Sequence, residues 1–250
     1  MTAKRGQITI FLIIGVIIFI SVSLIIYLKD SVDTGLIKEE TEFSTAAQPV
    51  APFVEQCIRK TLQQAIIITA ENGGYYELPE LSTKEAYKNA PYYIYGNEKH
   101  LPQRPEESIK LFLEDNLRFC TKGFTELPGL TILYEAPTAT IMLGENIVTA
   151  TIDYPLKIEE PTGTITKMSR FQSSTPTKIL QMFETAKAII ETPIMFESHC
   201  LTCINDIIEN SDFTISMVDD YEGTFFAIVD NTTTINEEPI RYRFATLLTP

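Results

Sequence analysis

Residues 147–157 read IVTATIDYPLK, and along this stretch apolar and polar side chains alternate. In an extended chain one side would carry Val148, Ala150, Ile152 and Tyr154, and the other side would carry Thr149, Thr151 and Asp153. A strand with one apolar and one polar side is typical of an antiparallel sheet that buries one face and exposes the other to water. This stretch therefore predicts the kind of sheet on which the domain is built.

The segments on either side of this strand have the same two-residue period. They predict strands at 131–135, 138–143 and 163–171, with turns at Gly144–Asn146 and Glu160–Gly163. Further strands are predicted at 92–95, 212–218, 224–230 and 240–246. The middle of the chain is therefore expected to be an antiparallel meander.

Helical periodicity is found before, between and after these strands. Helices are predicted at 53–72, 108–122, 177–191 and 198–209, and Gly73-Gly74 is a typical helix stop. The alternation of helices with runs of strands predicts an α+β domain, in which the helices pack on one face of an antiparallel sheet.

An uncharged segment near the N-terminus, residues 8–28, predicts a transmembrane helix. Its 21 residues would span about 30 Å as a helix, which matches the hydrocarbon core of a bilayer. The segment is longer than the apolar part of a removable signal peptide, so we expect it to remain as an anchor in the bilayer. Because Lys4 and Arg5 precede it, the positive-inside rule places residues 1–7 in the cytoplasm and the rest of the chain outside the cell membrane.

Two regions follow the anchor. Residues 29–52 are polar and acidic and contain Gly35, Pro49 and Pro52, so they are predicted to be a stalk or linker. Residues 53–250 are the predicted external α+β domain. From Ser31 onward, 17 basic and 32 acidic residues give a net charge of −15. This charge argues against nucleic acid as a partner.

The residues before the anchor resemble the class III signal of archaeal pilin-like proteins. Lys4-Arg5-Gly6-Gln7 places a basic pair and a glycine against the hydrophobic segment. The resemblance implies that a membrane peptidase cuts between Gly6 and Gln7 and leaves the anchor in the mature chain. Signals of this type carry Glu at the fifth mature position, where this chain has Phe11. The resemblance therefore supports processing more than assembly into a filament.

Over most of its length the chain also resembles a group of uncharacterised, N-terminally anchored envelope proteins of small-genome archaea. The matching stretches are KRGQITIF at 4–11, VEQCI at 54–58, NGGYYELP at 72–79, CLTC at 200–203 and YRFA at 242–245. The resemblance implies a location in the cell envelope, and it carries no activity.

Four cysteines follow the anchor, and they are Cys57, Cys120, Cys200 and Cys203. An even number outside the membrane favours disulfides over free thiols. Three pairings are possible. We prefer Cys57–Cys120, which would join two predicted helices, with Cys200 and Cys203 closed locally or left as a pair.

The stretch His199-Cys200-Leu201-Thr202-Cys203 allows two kinds of chemistry. A C-x-x-C at a helix N-terminus lowers the pKa of a thiol, which would suit thiol–disulfide exchange. With one distant cysteine, the same residues could hold a tetrahedral zinc ion. Because a second pair of zinc ligands is missing and no strand–C-x-x-C–helix unit stands at the start of a βαβ fold, we expect no metal and no cofactor. An extracytoplasmic thiol or metal enzyme stays the alternative.

Two further features could contact a partner or a glycan. The tyrosines Tyr75, Tyr76, Tyr92, Tyr93 and Tyr95 could bind glycans or a neighbouring protein, or they could pack beneath loops. Asn231-Thr232-Thr233 is a glycosylation sequon in a predicted turn.

The remaining polar candidates are expected to lie at the surface. The acidic stretch 219–222 lacks the spacing of a calcium loop and predicts a solvated turn, and His100 lies in a polar segment.

No hydrolase, zinc-protease or phosphate-binding motif is found in the sequence. We therefore expect a non-enzymatic protein of the cell envelope. Its acidic external domain would serve assembly, adhesion or the binding of a protein partner, including self-association and pilin-like assembly.

Overall fold

A computed structural model of the chain describes residues 47–83, 89–102, 105–195 and 198–248. All of them belong to one structural unit, Ser44–Pro250. The predicted anchor at 8–28, the processing site at Gly6 and Gln7, and residues 29–46 of the predicted linker lie outside the described residues. Across the ranges that are described, no helix is long and apolar enough to cross a membrane.

The helices are α1 (Val50–Glu71), α2 (Pro105–Thr121), α3 (Ile179–Glu191) and α4 (Leu201–Glu209), and a 3₁₀ turn (Lys122–Phe124) follows α2. The strands are β1 (Tyr92–Tyr95), β2 (Glu98–Lys99), β3 (Thr131–Tyr134), β4 (Thr138–Leu143), β5 (Ile147–Glu159), β6 (Ile165–Pro176), β7 (Ile194–Met195), β8 (Ser198–His199), β9 (Thr214–Asp220), β10 (Gly223–Ile235) and β11 (Glu238–Leu247).

The strands form two main sheets, whereas a single antiparallel sheet was predicted. The first has the order β2-β1-β11-β10-β9, in which β1 and β11 run parallel. The second is centred on β5, which pairs with β6 on one side and with β3 and β4, end to end, on the other. The prediction of one purely antiparallel sheet is therefore wrong in two respects: the strands divide into two sheets, and β1 runs parallel to a strand near the opposite end of the domain. Local periodicity reveals neither, because both depend on which distant segments pair. The α+β class is confirmed.

The predicted alternation in β5 is present in the structure. The residues on its apolar side are at most 1% exposed, and they are Val148, Ala150, Ile152 and Tyr154. On the opposite side Thr149 and Thr151 are partly exposed, and Asp153 is exposed. The second sheet therefore buries one face and keeps the other in contact with water.

Helix α1 contacts both sheets. It packs against α2, against β6 of the second sheet and against β11 of the first. Its fully buried residues recur at intervals of three and four along the helix, and they include Val54, Ile58, Leu62, Ala65 and Ile66. Because α1 packs against both sheets, buried residues of the two sheets belong to one hydrophobic core.

The start of α1 corrects the predicted linker boundary. The helix begins at Val50, so residues 50–52 are helical. Pro49 is the N-cap and Pro52 lies in the first turn, where backbone N–H groups have no helical acceptor and proline is tolerated. Ala47 and Val50 are fully buried. The two prolines that suggested a linker therefore mark the beginning of a core helix.

Two disulfides are present in the domain. Cys57–Cys120 joins α1 to α2, with the Cα atoms 5.5 Å apart, and its cysteines are 63 positions apart in sequence. Cys200–Cys203 spans three positions. This is the pairing preferred from the sequence. In the loop-entropy model, the longer bridge contributes about 4 kcal/mol to the free energy of unfolding.

Replacing Cys57 and Cys120 together by alanine is expected to lower the free energy of unfolding by about 4 kcal/mol, because the unfolded chain regains the entropy of a long loop. Replacing Cys200 and Cys203 together by serine should cost less, about 2 kcal/mol, because that loop is short. Urea unfolding of the full chain in non-ionic detergent, followed by circular dichroism since the chain has no tryptophan, measures both losses. Equal losses in the two double variants would contradict the assignment of the stabilisation to loop entropy.

Candidate functional site

A pocket of about 440 Å³ lies where the β9–β10 hairpin, the end of β11 and the start of α4 come together. We call it the His199 pocket. The pocket is lined by polar, aliphatic and turn residues. The polar ones are His199, Asp219, Asp220, Thr224 and Thr246, the aliphatic ones are Leu201, Met217, Leu247 and Leu248, and Tyr221 and Gly223 come from the turn and the start of β10. A concave site with apolar walls and a few convergent polar groups is the usual form of a ligand-binding site in proteins.

Strand register brings three of the polar residues into one row. Asp219 on β9 lies opposite Thr224 on β10, and Thr224 lies opposite Thr246 on β11. Directly opposed residues share one face of a sheet, so the three side chains follow one another across three strands. The Thr224 hydroxyl donates a hydrogen bond of 2.7 Å to Asp219 Oδ1. This bond restrains the solvent-exposed carboxylate at the edge of the pocket.

His199, on β8, lies next to Thr246 at the end of this row. Its Nε2 lies 2.7 Å from the Thr246 hydroxyl, and its ring packs edge-on against Phe226 at 5.3 Å between centroids. His199 is only 7% exposed, and its buried Nδ1 has no hydrogen-bond partner among the described residues. Burial lowers the pKa of His199, and the negative charge of Asp219 opposes this only in part. The ring is therefore neutral at neutral pH.

The Cys200–Cys203 disulfide adjoins the pocket. Cys200 is the N-cap of α4, and the backbone N–H of Cys203 donates to Cys200 Sγ at 3.3 Å. The helix begins at Leu201 rather than at the predicted residue 198, because Ser198 and His199 pair with β7 as a short strand. Leu201, between the two cysteines, is 57% exposed. An apolar side chain thus lines the pocket directly beside the disulfide.

The zinc hypothesis is not supported by this arrangement. It required Cys57 or Cys120 as a distant ligand, and these two cysteines are bonded to each other. Among the described residues, no group of three His, Cys, Asp or Glu side chains is placed to hold a metal ion. His199, Cys200 and Cys203 remain candidates for binding or for thiol chemistry.

The acidic stretch 219–222 is accessible to solvent as predicted, with Asp219 and Tyr221 exposed, but only its second half is a turn. Asp219 and Asp220 belong to β9, and the turn itself consists of Tyr221 and Glu222. A Cβ atom on Gly223, which has φ +116°, would lie 2.3 Å from the Thr246 carbonyl oxygen. Only glycine allows β10 to start so close to β11. This tight turn brings Asp219 to the pocket.

The five candidate tyrosines do not form an exposed cluster. Tyr92 and Tyr93 are buried, Tyr75 and Tyr76 are half-buried, and Tyr95 is exposed. Their hydroxyls are used within the domain: Tyr75 donates to the His100 carbonyl, and Tyr92 donates to the Glu222 carbonyl. Packing, the alternative that the sequence left open, accounts for four of the five tyrosines.

Asn231 and His100 lie away from the pocket lining. Asn231 is exposed in β10, beside an irregularity in the pairing with β11, and its side chain donates to the Thr214 hydroxyl at 2.9 Å. The predicted turn at the sequon is therefore a strand. His100 follows β2, and its Nε2 lies 3.8 Å from a Glu98 carboxylate oxygen.

Thr224, Thr246 and the role of Asp219 were missed by the sequence analysis. Their only signal would have been the register of the β9–β10 and β10–β11 hairpins, which the gap at 219–223 between the predicted strands 212–218 and 224–230 obscured. Comparison with protein-family models, curated proteins and solved structures gives no match. The chemistry of the His199 pocket must therefore be judged from its own residues.

Acidification is expected to destabilise the domain through His199. The pKa of this histidine is lowered in the folded state, so its contribution to stability is present above the unfolded pKa of about 6.5. This contribution is lost as the pH falls below that value, because the unfolded chain takes up the proton more readily. The free energy of unfolding, measured by urea between about pH 7.5 and pH 5.5, should therefore fall.

Two variants isolate this effect. His199→Gln removes the titrating ring and should flatten the fall over the same pH range. Thr246→Val removes the hydrogen-bond partner but keeps the ring, so it should lower stability and retain the pH dependence. A native chain whose stability is constant between pH 7.5 and pH 5.5 would contradict the assignment of a buried neutral histidine.

Proposed function

We propose that the chain is a single-pass membrane-anchored protein of the cell envelope whose acidic external domain binds a partner. The anchor is residues 8–28, with the N-terminus in the cytoplasm. The observation that carries this proposal is the state of the cysteines: all four are paired in disulfides in the region after the anchor. Disulfides persist in oxidising compartments, and the basic pair Lys4 and Arg5 directs this region to the same side.

The geometry of the His199 pocket favours binding over proton-transfer chemistry. The His199 ring is held by Thr246 and covered by Phe226, and the Asp219 carboxylate is held by Thr224. Side chains restrained by the scaffold around a pocket with polar and aliphatic walls provide a preorganised recognition site. Binding of a protein partner, adhesion and self-association all use such a surface.

The resemblance to class III signals supports the same location. Cleavage after Gly6 would leave a mature chain that begins at Gln7 and keeps the anchor, as in pilin-like envelope proteins. Intact-mass measurement of the native chain tests this point. A mature chain that begins at Met1 would eliminate this processing.

Labelling of a single added thiol tests the orientation. The Asp115→Cys variant places a thiol on an exposed position of α2, and a membrane-impermeant maleimide is expected to label it in intact cells. The native chain is the control and should remain unlabelled, because its four cysteines are paired. Deletion of residues 8–28 should release the protein from the membrane fraction. Labelling of the variant only after permeabilisation would contradict the proposed orientation.

Thiol–disulfide exchange at Cys200 and Cys203 is a second candidate function. It is favoured by the position of Cys200 as the N-cap of α4, where the Cys203 N–H and the helix dipole stabilise a thiolate. In such a reaction a thiolate of a partner dithiol bonds to one sulfur, and the other sulfur leaves as a thiolate. The second partner thiolate then releases the partner as a disulfide, and Cys200 and Cys203 receive the two electrons.

Mild reduction of the folded chain is expected to open Cys200–Cys203 before Cys57–Cys120. In the first disulfide only Cys120 is partly exposed and Cys57 is 3% exposed, whereas both Cys200 and Cys203 are partly exposed, so a thiolate can reach either sulfur of the second disulfide. Alkylation followed by mass mapping identifies which disulfide has opened, and circular dichroism confirms that the chain is still folded. If both disulfides resist the reductant, the exchange function loses its only support.

A further inference from the structure

The lining of the His199 pocket is negatively charged. Asp219 contributes a carboxylate on the face of β9 that carries the row with Thr224 and Thr246. Asp220 also belongs to the lining, but it follows on the opposite face of the strand and its Oδ1 accepts the Tyr221 N–H at 2.6 Å. No Lys or Arg of the described residues lines the pocket. The remaining ionisable group in the lining that could be cationic, His199, is neutral because burial lowers its pKa. The pocket therefore complements a positive charge.

The aliphatic wall adds a second requirement on the ligand. Leu201, Met217, Leu247 and Leu248 line the pocket together with the carboxylates. A ligand that matches both parts carries an alkyl chain with a cation at its end, which describes the side chains of lysine and arginine. The volume of about 440 Å³ is in the range of sites that enclose a small ligand, so it accommodates such a side chain with part of its backbone.

The carboxylate of Asp219 is prepared for this contact. Its Oδ1 accepts the Thr224 hydroxyl, and a carboxylate accepts up to about four hydrogen bonds. It can therefore bind a cationic head group while it keeps its position. Because the Thr224 hydroxyl already restrains it, less side-chain order has to be gained on binding.

We propose that the His199 pocket binds a lysine or arginine side chain of a partner polypeptide, with the alkyl chain along the aliphatic wall and the cationic head group at Asp219. This inference rests on the proposed partner-binding function and specifies the chemistry of the partner. The acidity of the chain, with a formal net charge of −13, favours encounter with a basic partner.

A peptide titration tests this inference on the full chain in non-ionic detergent. The probe is acetyl-Ala-Leu-Lys-Leu-Ala-amide, and its dissociation constant is measured by ligand-observed NMR. We expect binding of this peptide and about tenfold weaker binding of the same peptide with Nε-acetyllysine, which corresponds to the loss of one charged hydrogen bond. Equal binding of the two peptides would overturn the proposal. Tight binding of 1,5-diaminopentane, at the level of the lysine peptide, would overturn the assignment to a polypeptide.

Matched variants separate the pocket from the general acidity of the chain. Asp219→Asn keeps an acceptor for Thr224 and should weaken binding of the lysine peptide about tenfold, whereas Asp115→Asn on α2 removes the same charge and should leave binding unchanged. Leu201→Ser should weaken binding through the aliphatic wall, and Leu111→Ser, also exposed, should have no effect. The proposal would be overturned if Asp219→Asn weakened peptide binding no more than Asp115→Asn, and Leu201→Ser no more than Leu111→Ser.

The outcome is independent of the topology test. If the lysine peptide fails to bind while the Asp115→Cys thiol is labelled from outside, only the pocket assignment fails. If the peptide binds while that thiol is labelled only from inside, only the proposed location fails.

Discussion

Strand β11 is hydrogen-bonded on both sides, and the closure of the domain depends on this position. It pairs antiparallel with β10 and parallel with β1. β1 comes soon after α1 in the chain, so the pairing with β11 holds the first part of the domain against the last. Parallel neighbours cannot be joined by a hairpin, and here the connection between them is most of the domain. The second sheet, α3 and α4 are all contained in that connection.

A buried polar cluster secures this closure at the end of α1. The Tyr93 hydroxyl donates to the Gly73 carbonyl at 2.7 Å, so in the 2.6 Å contact between hydroxyls Tyr242 is the donor to Tyr93. Burial raises the pKa of both tyrosines well above its usual value. A Cβ atom on Gly74 would lie 2.7 Å from the Tyr242 hydroxyl. The glycine pair that predicted a helix stop is therefore also required for the contact between α1, β1 and β11.

Local periodicity predicts elements better than it predicts their partners. The stretch 147–157 forms the predicted strand with the predicted buried side, because a two-residue period belongs to the strand itself. The parallel β1–β11 pair and the division into two sheets depend on contacts between distant segments, and no local pattern contains them. The site shows the same division: His199 and the C-x-x-C were recognisable from residue type, whereas Asp219, Thr224 and Thr246 form a row only through strand register.

His199 connects the two candidate functions in one place. Its ring is bonded to Thr246 on the sheet, and the next residue, Cys200, caps α4 and is closed onto Cys203. Leu201, which follows immediately, forms part of the pocket wall. Opening of the disulfide would free the residues on both sides of Leu201, and a ligand seated in the pocket would hold Leu201 in place. By linkage, a ligand that favours one state of the disulfide must be bound more tightly by that state.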